Sequence, residues 1–294
     1  MKILLATDGS ESAESAAKFL ACLDFSENDQ ITVFHALNWV PFLYDKESYF
    51  GTLKEIKKEI APRILNSAIR VLSQSHAKLS TAIIDGAPEH TIVDTAIKGD
   101  MDMIVTGARG IKGIRSIFVG SVTKSVVVNS PKPVLVTKPL VSGRSRKMKV
   151  LFAADGSEYS AAAGKLLARL PFADGAELTI LNVIWSDFSD IPERFVLEVN
   201  DRIKEVVAEA RTAEIRESQR IIEKAREPFA GKFRDISLLT QVGDPSAEIL
   251  KAADAVGADL IVLGSRGMRG IKGMLGSVSR NVLTHAKCSV LIGK

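Results

Sequence analysis

Residues 102–113 read DMIVTGARGIKG, and residues 259–270 read DLIVLGSRGMRG, 157 positions further on. Each is an apolar run that breaks into a glycine-rich loop. Two more pairs of blocks keep the same order. Residues 2–12, KILLATDGSES, match residues 149–159, KVLFAADGSEY, at an offset of 147; residues 120–125, GSVTKS, match residues 276–281, GSVSRN, at 156. Separated blocks repeated in one order mean two copies of one domain. The second copy gains ten residues in its middle and then loses one. A chain of 294 residues, at roughly 150 per domain, agrees with that reading. The expected division is a first domain over 1–140, a basic linker over 141–148 and a second domain over 149–294.

Within each copy, short apolar runs alternate with helical patterns. In the first, Ile3-Leu4-Leu5-Ala6, Ile31-Thr32-Val33-Phe34, Ala82-Ile83-Ile84, Met103-Ile104-Val105-Thr106 and Val134-Leu135-Val136 read as strands. Between them, helices are expected after Ser10, over 46 to 75 with a break at Pro62, from Pro88 to Lys98, and from Ser121 to Asn129. The second copy repeats the order with Val150-Leu151-Phe152, Leu178-Thr179-Ile180-Leu181, Ile236-Ser237-Leu238-Leu239, Leu260-Ile261-Val262-Leu263 and Val290-Leu291-Ile292. Its stretch from 193 to 227 lacks Gly and Pro. One helix there would be on the order of 50 Å long, so it is expected to bend, break or project. Apolar strands separated by helices indicate an α/β fold: two repeated open parallel sheets with helices on both faces.

Composition narrows the function classes. Hydrophobic residues make up 46% and charged residues 25%, an ordinary globular balance. The net charge of +4 sits in residues 141–149, where Arg144, Arg146, Lys147 and Lys149 have no acid among them. A basic linker is not a basic face, so nucleic acid is not an expected partner. No apolar run approaches the roughly 20 residues of a membrane span, and the N-terminal run is too short for a secretory signal. With only Cys22 and Cys288, no disulfide framework forms, and the cytosol is the default location. Neither cysteine nor any of His35, His76, His90 and His285 shows metal-ligand spacing. The GxxxxGK[ST] loop, SGGxDS, HIGH and KMSKS are all missing.

Ligands of open parallel sheets bind beyond the carboxyl ends of the strands. Two motifs fall there in each copy. The first is Thr7-Asp8-Gly9-Ser10, repeated as Ala154-Asp155-Gly156-Ser157. The second is the loop after strand four, Gly107-Ala108-Arg109-Gly110, then nine residues, then Gly120-Ser121 opening a helix. Glycines let backbone N–H groups approach a phosphate, and a helix N-terminus adds unpaired donors and partial positive charge. The Ser121 hydroxyl can donate too, and Asp8 suits ribose hydroxyls. On the bland reading, the glycines only shape turns and Ser121 only caps its helix. Arg109 and Arg266 either touch phosphate or are simply solvated. Ser10 and Ser157 read as N-caps rather than nucleophiles, and His35 as a packed residue rather than a catalyst.

These motifs together resemble the universal stress protein family in its tandem form, over nearly the whole chain. Gly107, Gly110, Gly120 and Ser121 fit the family's Gly-x2-Gly-x9-Gly-Ser/Thr motif, and Asp8 and Asp155 fit its aspartate after strand one. Gly86-Ala87-Pro88 and Gly243-Asp244-Pro245 match its turn after strand three. The resemblance implies five strands per copy in the order 3-2-1-4-5. It also implies ATP or AMP held by the aspartate, the glycine loop and a residue just after strand two, which falls on Ala36 and Val183; Mg²⁺ alongside the nucleotide is left open. In the second copy Gly264, Gly267, Gly276 and Ser277 stand in the motif, but only eight residues separate Gly267 from Gly276. The first site is therefore expected to bind at least as tightly as the second.

The expected function is a cytosolic adenine-nucleotide-binding stress or regulatory protein. With no acidic metal pair or activating base, slow ATP hydrolysis is the most it should catalyse. The alternative is a pairing module of the same fold that binds no nucleotide. Strand five of each copy is apolar and lies at an edge, a hazard unless covered. The two copies are expected to form a pseudo-dimer within the chain, with a homodimer of whole chains as a further expectation.

Overall fold

The computed structural model describes residues 1–38, 47–110, 119–139, 147–185, 201–267 and 275–294. Of the expected linker, 141–146 falls outside the described residues, as does 193–200 of the expected long helix. The first half runs β1 (Lys2–Ala6), α1 (Glu11–Leu20), β2 (Gln30–Leu37), α2 (Glu47–Leu72), β3 (Lys78–Asp85), α3 (Pro88–Lys98), β4 (Met103–Gly107), α4 (Ser121–Asn129) and β5 (Val134–Thr137). The second runs β6 (Lys149–Ala153), α5 (Glu158–Arg169), β7 (Glu177–Ile184), α6 (Asp201–Arg226), a 3-10 turn (Glu227–Phe229), β8 (Asp235–Val242), α7 (Pro245–Val256), β9 (Leu260–Gly264), α8 (Ser277–His285) and β10 (Ser289–Gly293).

Each half has its strands in the order 3-2-1-4-5, all parallel. The halves do not keep separate sheets. β5 and β10 pair antiparallel, with Leu135 opposite Leu291, and the result is one ten-stranded sheet. The physical reason is burial. Every residue of both strands is buried, and each large apolar side chain gains about 1.5–3 kcal/mol from that. Separate sheets would expose two apolar edges; pairing removes both. A second seam joins the ends of α1 and α5, where the Asp24 amide donates to the Pro171 carbonyl at 2.7 Å. Both cores run through the seam: Leu5, Phe19 and Leu135 share one cluster with Phe152 and Leu291, and Ile104 and Val136 share the other with Ile261 and Val290.

One expectation on the middle helices needs correction. Pro62 does not break α2, which runs unbroken for 26 residues. The ring sits on the exposed face, where the Lys58 carbonyl it deprives of an N–H can be hydrated. In the second half α6 is also 26 residues, about 39 Å. The offset between halves is 147 at β2 and β7, 154 at the C-terminal ends of α2 and α6, and 157 at β3 and β8, so three of the ten extra residues follow α6. Those three form the turn that carries Phe229. Its ring meets Phe152 edge-on at 5.8 Å and Phe233 at 5.7 Å. Here Phe152 and Gly164 replace the Leu5 and Ala17 of the first half, and a Cβ on Gly164 would lie 3.1 Å from the Phe152 ring. A larger strand residue is matched by a smaller helix residue.

Candidate functional site

The loop after the first strand of each half is built alike. Gly9 has φ +80° and Gly156 φ +81°, a left-handed turn that favours glycine. Within that turn Asp8 Oδ1 accepts from the Ser10 amide at 3.0 Å, and Asp155 Oδ1 from the Ser157 amide at 3.0 Å. The serines cap their helices, Ser10 Oγ accepting from the Ala13 amide and Ser157 Oγ from the Ser160 amide. That is the capping role expected of them. Thr7 is buried, and its hydroxyl accepts from the Gly9 amide at 3.2 Å. Its side chain therefore serves the turn.

The second aspartate oxygen points at the glycine loop. A Cβ built on Gly110 would stand 2.6 Å from Asp8 Oδ2, and one on Gly267 2.8 Å from Asp155 Oδ2. Deeper in the loop, a Cβ on Gly107 would strike the Ser12 backbone at 2.5 Å, and one on Gly264 the backbone of Tyr159 and Ser160 at 2.7 Å. The capping serine also ties the loop down: Ser10 Oγ donates to the Arg109 carbonyl and Ser157 Oγ to the Arg266 carbonyl, each at 3.4 Å. These two loops, distant in sequence, are thus pressed together in both halves.

Beyond each loop a helix opens toward the same place. The N-caps are Gly120 (φ −62°, ψ 154°) and Gly276 (φ −60°, ψ 155°), and neither helix has a side-chain cap. Ser121 and Ser277 are exposed first helical residues, so the reading of Ser121 as a helix cap fails. Among the described residues no side chain caps the first turn of α4 or α8, and the helix dipole puts partial positive charge there. The Gly120 amide donates to the Ala108 carbonyl at 2.8 Å, and the Gly276 amide to Ser265 at 2.9 Å. The residue missing from the second loop falls within 268–274, outside the described residues; the anchors on either side coincide with those of the first half.

In the second half these groups border a cleft of about 420 Å³, lined among others by Asp155, Val183, Leu263, Arg266, Gly267 and Ser277. Its walls are mainly apolar, with the polar groups gathered at the loop. Val183 and Ala36 lie inside strands that run on to Ile184 and Leu37, not just after them as expected. The parallel partner strand on the outer side extends both. His35 and Asn182 do one job: His35 Nδ1 lies 2.8 Å from the Thr7 carbonyl, and Asn182 Nδ2 donates to the Ala154 carbonyl at 2.7 Å. Each fixes the residue before the aspartate.

The halves differ at the loop arginine. In the first, the Arg109 amide donates to Ser12 Oγ at 3.0 Å. In the second, Tyr159 replaces Ser12. Arg266 Nη1 donates to its hydroxyl at 2.7 Å, and the guanidinium lies 4.9 Å from the ring centroid. Ser265 replaces Ala108, and its buried hydroxyl has no hydrogen-bond partner among the described residues. Sequence reasoning missed Ser12 and Tyr159, which contact the loop from the first turn of α1 and α5, and Ser265, a variable position inside the loop. It also missed Lys138 and Lys294, the residues that follow β5 and β10. Burial lowers the Lys138 amine, and burial with the Arg266 charge lowers Lys294 to about 8. Cys288 is buried and its thiol is pushed up to about 11, which suits an inert filler. Among the described residues no three His, Cys, Asp or Glu side chains gather as a metal site, and no helix is long and apolar enough to cross a membrane.

Comparison with known proteins agrees with the architecture. A universal stress protein of Bacillus subtilis, YxiE, is 37% identical over 154 residues, covering 49% of this chain and 97% of its own. A universal stress protein of Mycolicibacterium smegmatis is 24% identical over 297 residues, covering 99% and 96%. The crystal structure of a universal stress protein from Archaeoglobus fulgidus superposes with a TM-score of 0.64 at 21% identity, covering 100% and 96%, and shows the shared fold. The family model described as "Universal stress protein family" matches twice, over residues 1–138 and 148–294. The chain therefore belongs to the universal stress protein family, with two of its domains in tandem.

Proposed function

We propose that each half binds one adenine nucleotide, ATP or AMP, and that the protein is a cytosolic stress-response regulator that holds the nucleotide rather than turning it over rapidly. One observation carries the reading: in both halves an aspartate oxygen fills the space a glycine leaves, beside a helix N-terminus that no side chain caps. A pairing module would need none of this, because β5 and β10 already cover each other.

In the proposed arrangement, Asp8 and Asp155 accept from ribose hydroxyls with the oxygen turned to the loop. The backbone of Gly107, Gly110 and Gly120, with Ser121, faces the phosphates; Gly264, Gly267, Gly276 and Ser277 do the same in the second half. Arg109 and Arg266 supply charge at the phosphate end. Ala36 and Val183 form part of the adenine wall beside Thr7 and Ala154. A Mg²⁺ ion would enter on the phosphates. The anchors on both sides of the shortened loop coincide, so the proposed affinity order, first site at least equal to second, rests only on the missing residue. Mass spectrometry of what freshly purified, denatured protein releases tests the reading. ATP, ADP or AMP near two per chain is expected. Protein that releases none and binds no added ATP refutes it.

A further inference from the structure

Lys138 and Lys294 occupy the same place in the two halves, directly after β5 and β10. Each stands beside its own half's glycine loop. The Ala108 amide donates to the Thr137 carbonyl at 2.9 Å, and the Ser265 amide to Gly293 at 2.7 Å. Antiparallel pairing of β5 with β10 then aims each lysine across the seam. Lys294 Nζ donates to the Val127 carbonyl at 2.7 Å, in the last turn of α4. Lys138 Nζ donates to the carbonyl of Ala286, the C-cap of α8. Both lysines are half-buried.

The choice of acceptor has a local cause. The Val127 carbonyl would bond to the N–H four residues on, but that residue is Pro131, which has none. The carbonyl is an orphan, and Lys294 fills it. A cation at a helix C-terminus also complements the dipole whose positive end lies at the other terminus. For α4 that other end is the anion cradle at Gly120-Ser121. Each lysine is therefore shared. Its charge feels the loop arginine of its own half, Arg266 for Lys294 and Arg109 for Lys138. Its hydrogen bond holds the tail of the helix whose head forms the other half's cradle.

We propose that this reciprocal lysine pair couples the two nucleotide sites, so that an anion seated at one loop tightens the helix that forms the other. The inference rests on the nucleotide reading of the cradles. An anion beside Arg266 offsets the repulsion that arginine exerts on Lys294. The amine then stays charged, and its bond to Val127 strengthens. α4 is held more firmly, and its N-terminus is better placed for a second anion. By linkage the coupling is felt equally by the second site, and the matching contact of Lys138 with α8 adds a second path of the same kind.

The test isolates one direction. Gly120→Val blocks the first cradle, so ATP added to this full-length variant occupies the second site alone; calorimetry confirms that it binds. Amide hydrogen exchange then follows the last turn of α4, residues 126–129. ATP is expected to slow exchange there about fivefold, the low end of typical coupling. Adding Lys294→Gln, which keeps a donor but loses the charge, should abolish the slowing; Lys294→Arg should preserve it. ATP that binds while exchange in α4 stays unchanged overturns the coupling alone, and that result needs no seam variant. Slowing that persists in Lys294→Gln overturns the lysine's part. If Gly120→Val binds no ATP, the mirror experiment with Gly276→Val, Lys138→Gln and α8 decides. Binding in neither variant sinks the nucleotide reading and the coupling with it.

Discussion

The two halves have different cores beneath the same loop frame. Leu5, Ala17 and Thr137 in the first become Phe152, Gly164 and Gly293 in the second, with Phe229 added from the 3-10 turn. The helix after the first strand packs closely enough in the second half that a Cβ on Gly293 would lie 2.4 Å from that of Ala163. Yet the aspartate turn, its left-handed glycine and the N-caps of α4 and α8 agree within a few degrees and tenths of an ångström. Backbone hydrogen bonds and close glycine contacts set that frame, so side-chain volumes below it can drift together without moving it. The comparison teaches which contacts the loops depend on.

The largest effect should come from breaking a contact common to both halves. Gly107→Ala and Gly264→Ala push a Cβ into helix backbone at 2.5 and 2.7 Å, and backbone cannot swing aside. Each should cost about 3 kcal/mol by urea denaturation, the upper range for overpacking. A loss under about 1 kcal/mol in either half would show that the loop and helix are not locked together. Gly110→Ala and Gly267→Ala meet only a carboxylate tip at 2.6 and 2.8 Å, which can rotate away. Stability should fall by less than about 1 kcal/mol, while displacing the charged acceptor should weaken ATP binding at the altered site about tenfold or more. Unchanged affinity would remove Asp8 and Asp155 from the ribose role.

A subtler contrast lies at Ser265, buried with no hydrogen-bond partner among the described residues, where the first half has Ala108. Ser265→Ala should raise stability by about 1 kcal/mol; a loss would mean that the hydroxyl has an ordered water. The smallest effect is in pH. Folded Lys294 titrates at about 8, against about 10.4 for an unfolded lysine. Between those values the unfolded chain binds the extra proton, so this group makes stability rise with pH. Lys138 acts with the same sign. Cys288, raised from 9.0 to about 11, binds the extra proton in the folded state and makes stability fall from about pH 9 upward. Urea midpoints should therefore rise from pH 8 to 9, by less than the ~1.4 kcal/mol per pH unit of one fully shifted group. Lys294→Met should flatten that rise, and a midpoint series unaltered by it would contradict the buried amine.

Much of this was legible in the sequence because it depends on local pattern. The repeat located both halves, and Asp8, Gly110 and Gly120 with their counterparts come together where the strand-end rule puts them. The apolar edges of β5 and β10 announced that they would be covered, though not that one continuous sheet would result. What stayed hidden depends on distance in space. Pro62 looked like a break because its exposure on α2 is not written in its neighbours. Ala36 and Val183 looked like loop residues because pairing to the outer strand carries β2 and β7 past them. Tyr159 and Lys294 carry no motif; only the fold sets one against Arg266 and the other against α4.

Calorimetric titration of the whole chain with ATP tests the two-site account most directly. The account predicts two equivalents bound by the unaltered chain, and one each by Gly120→Val and Gly276→Val. No heat of binding to the unaltered chain, or two equivalents still bound by either variant, would contradict it.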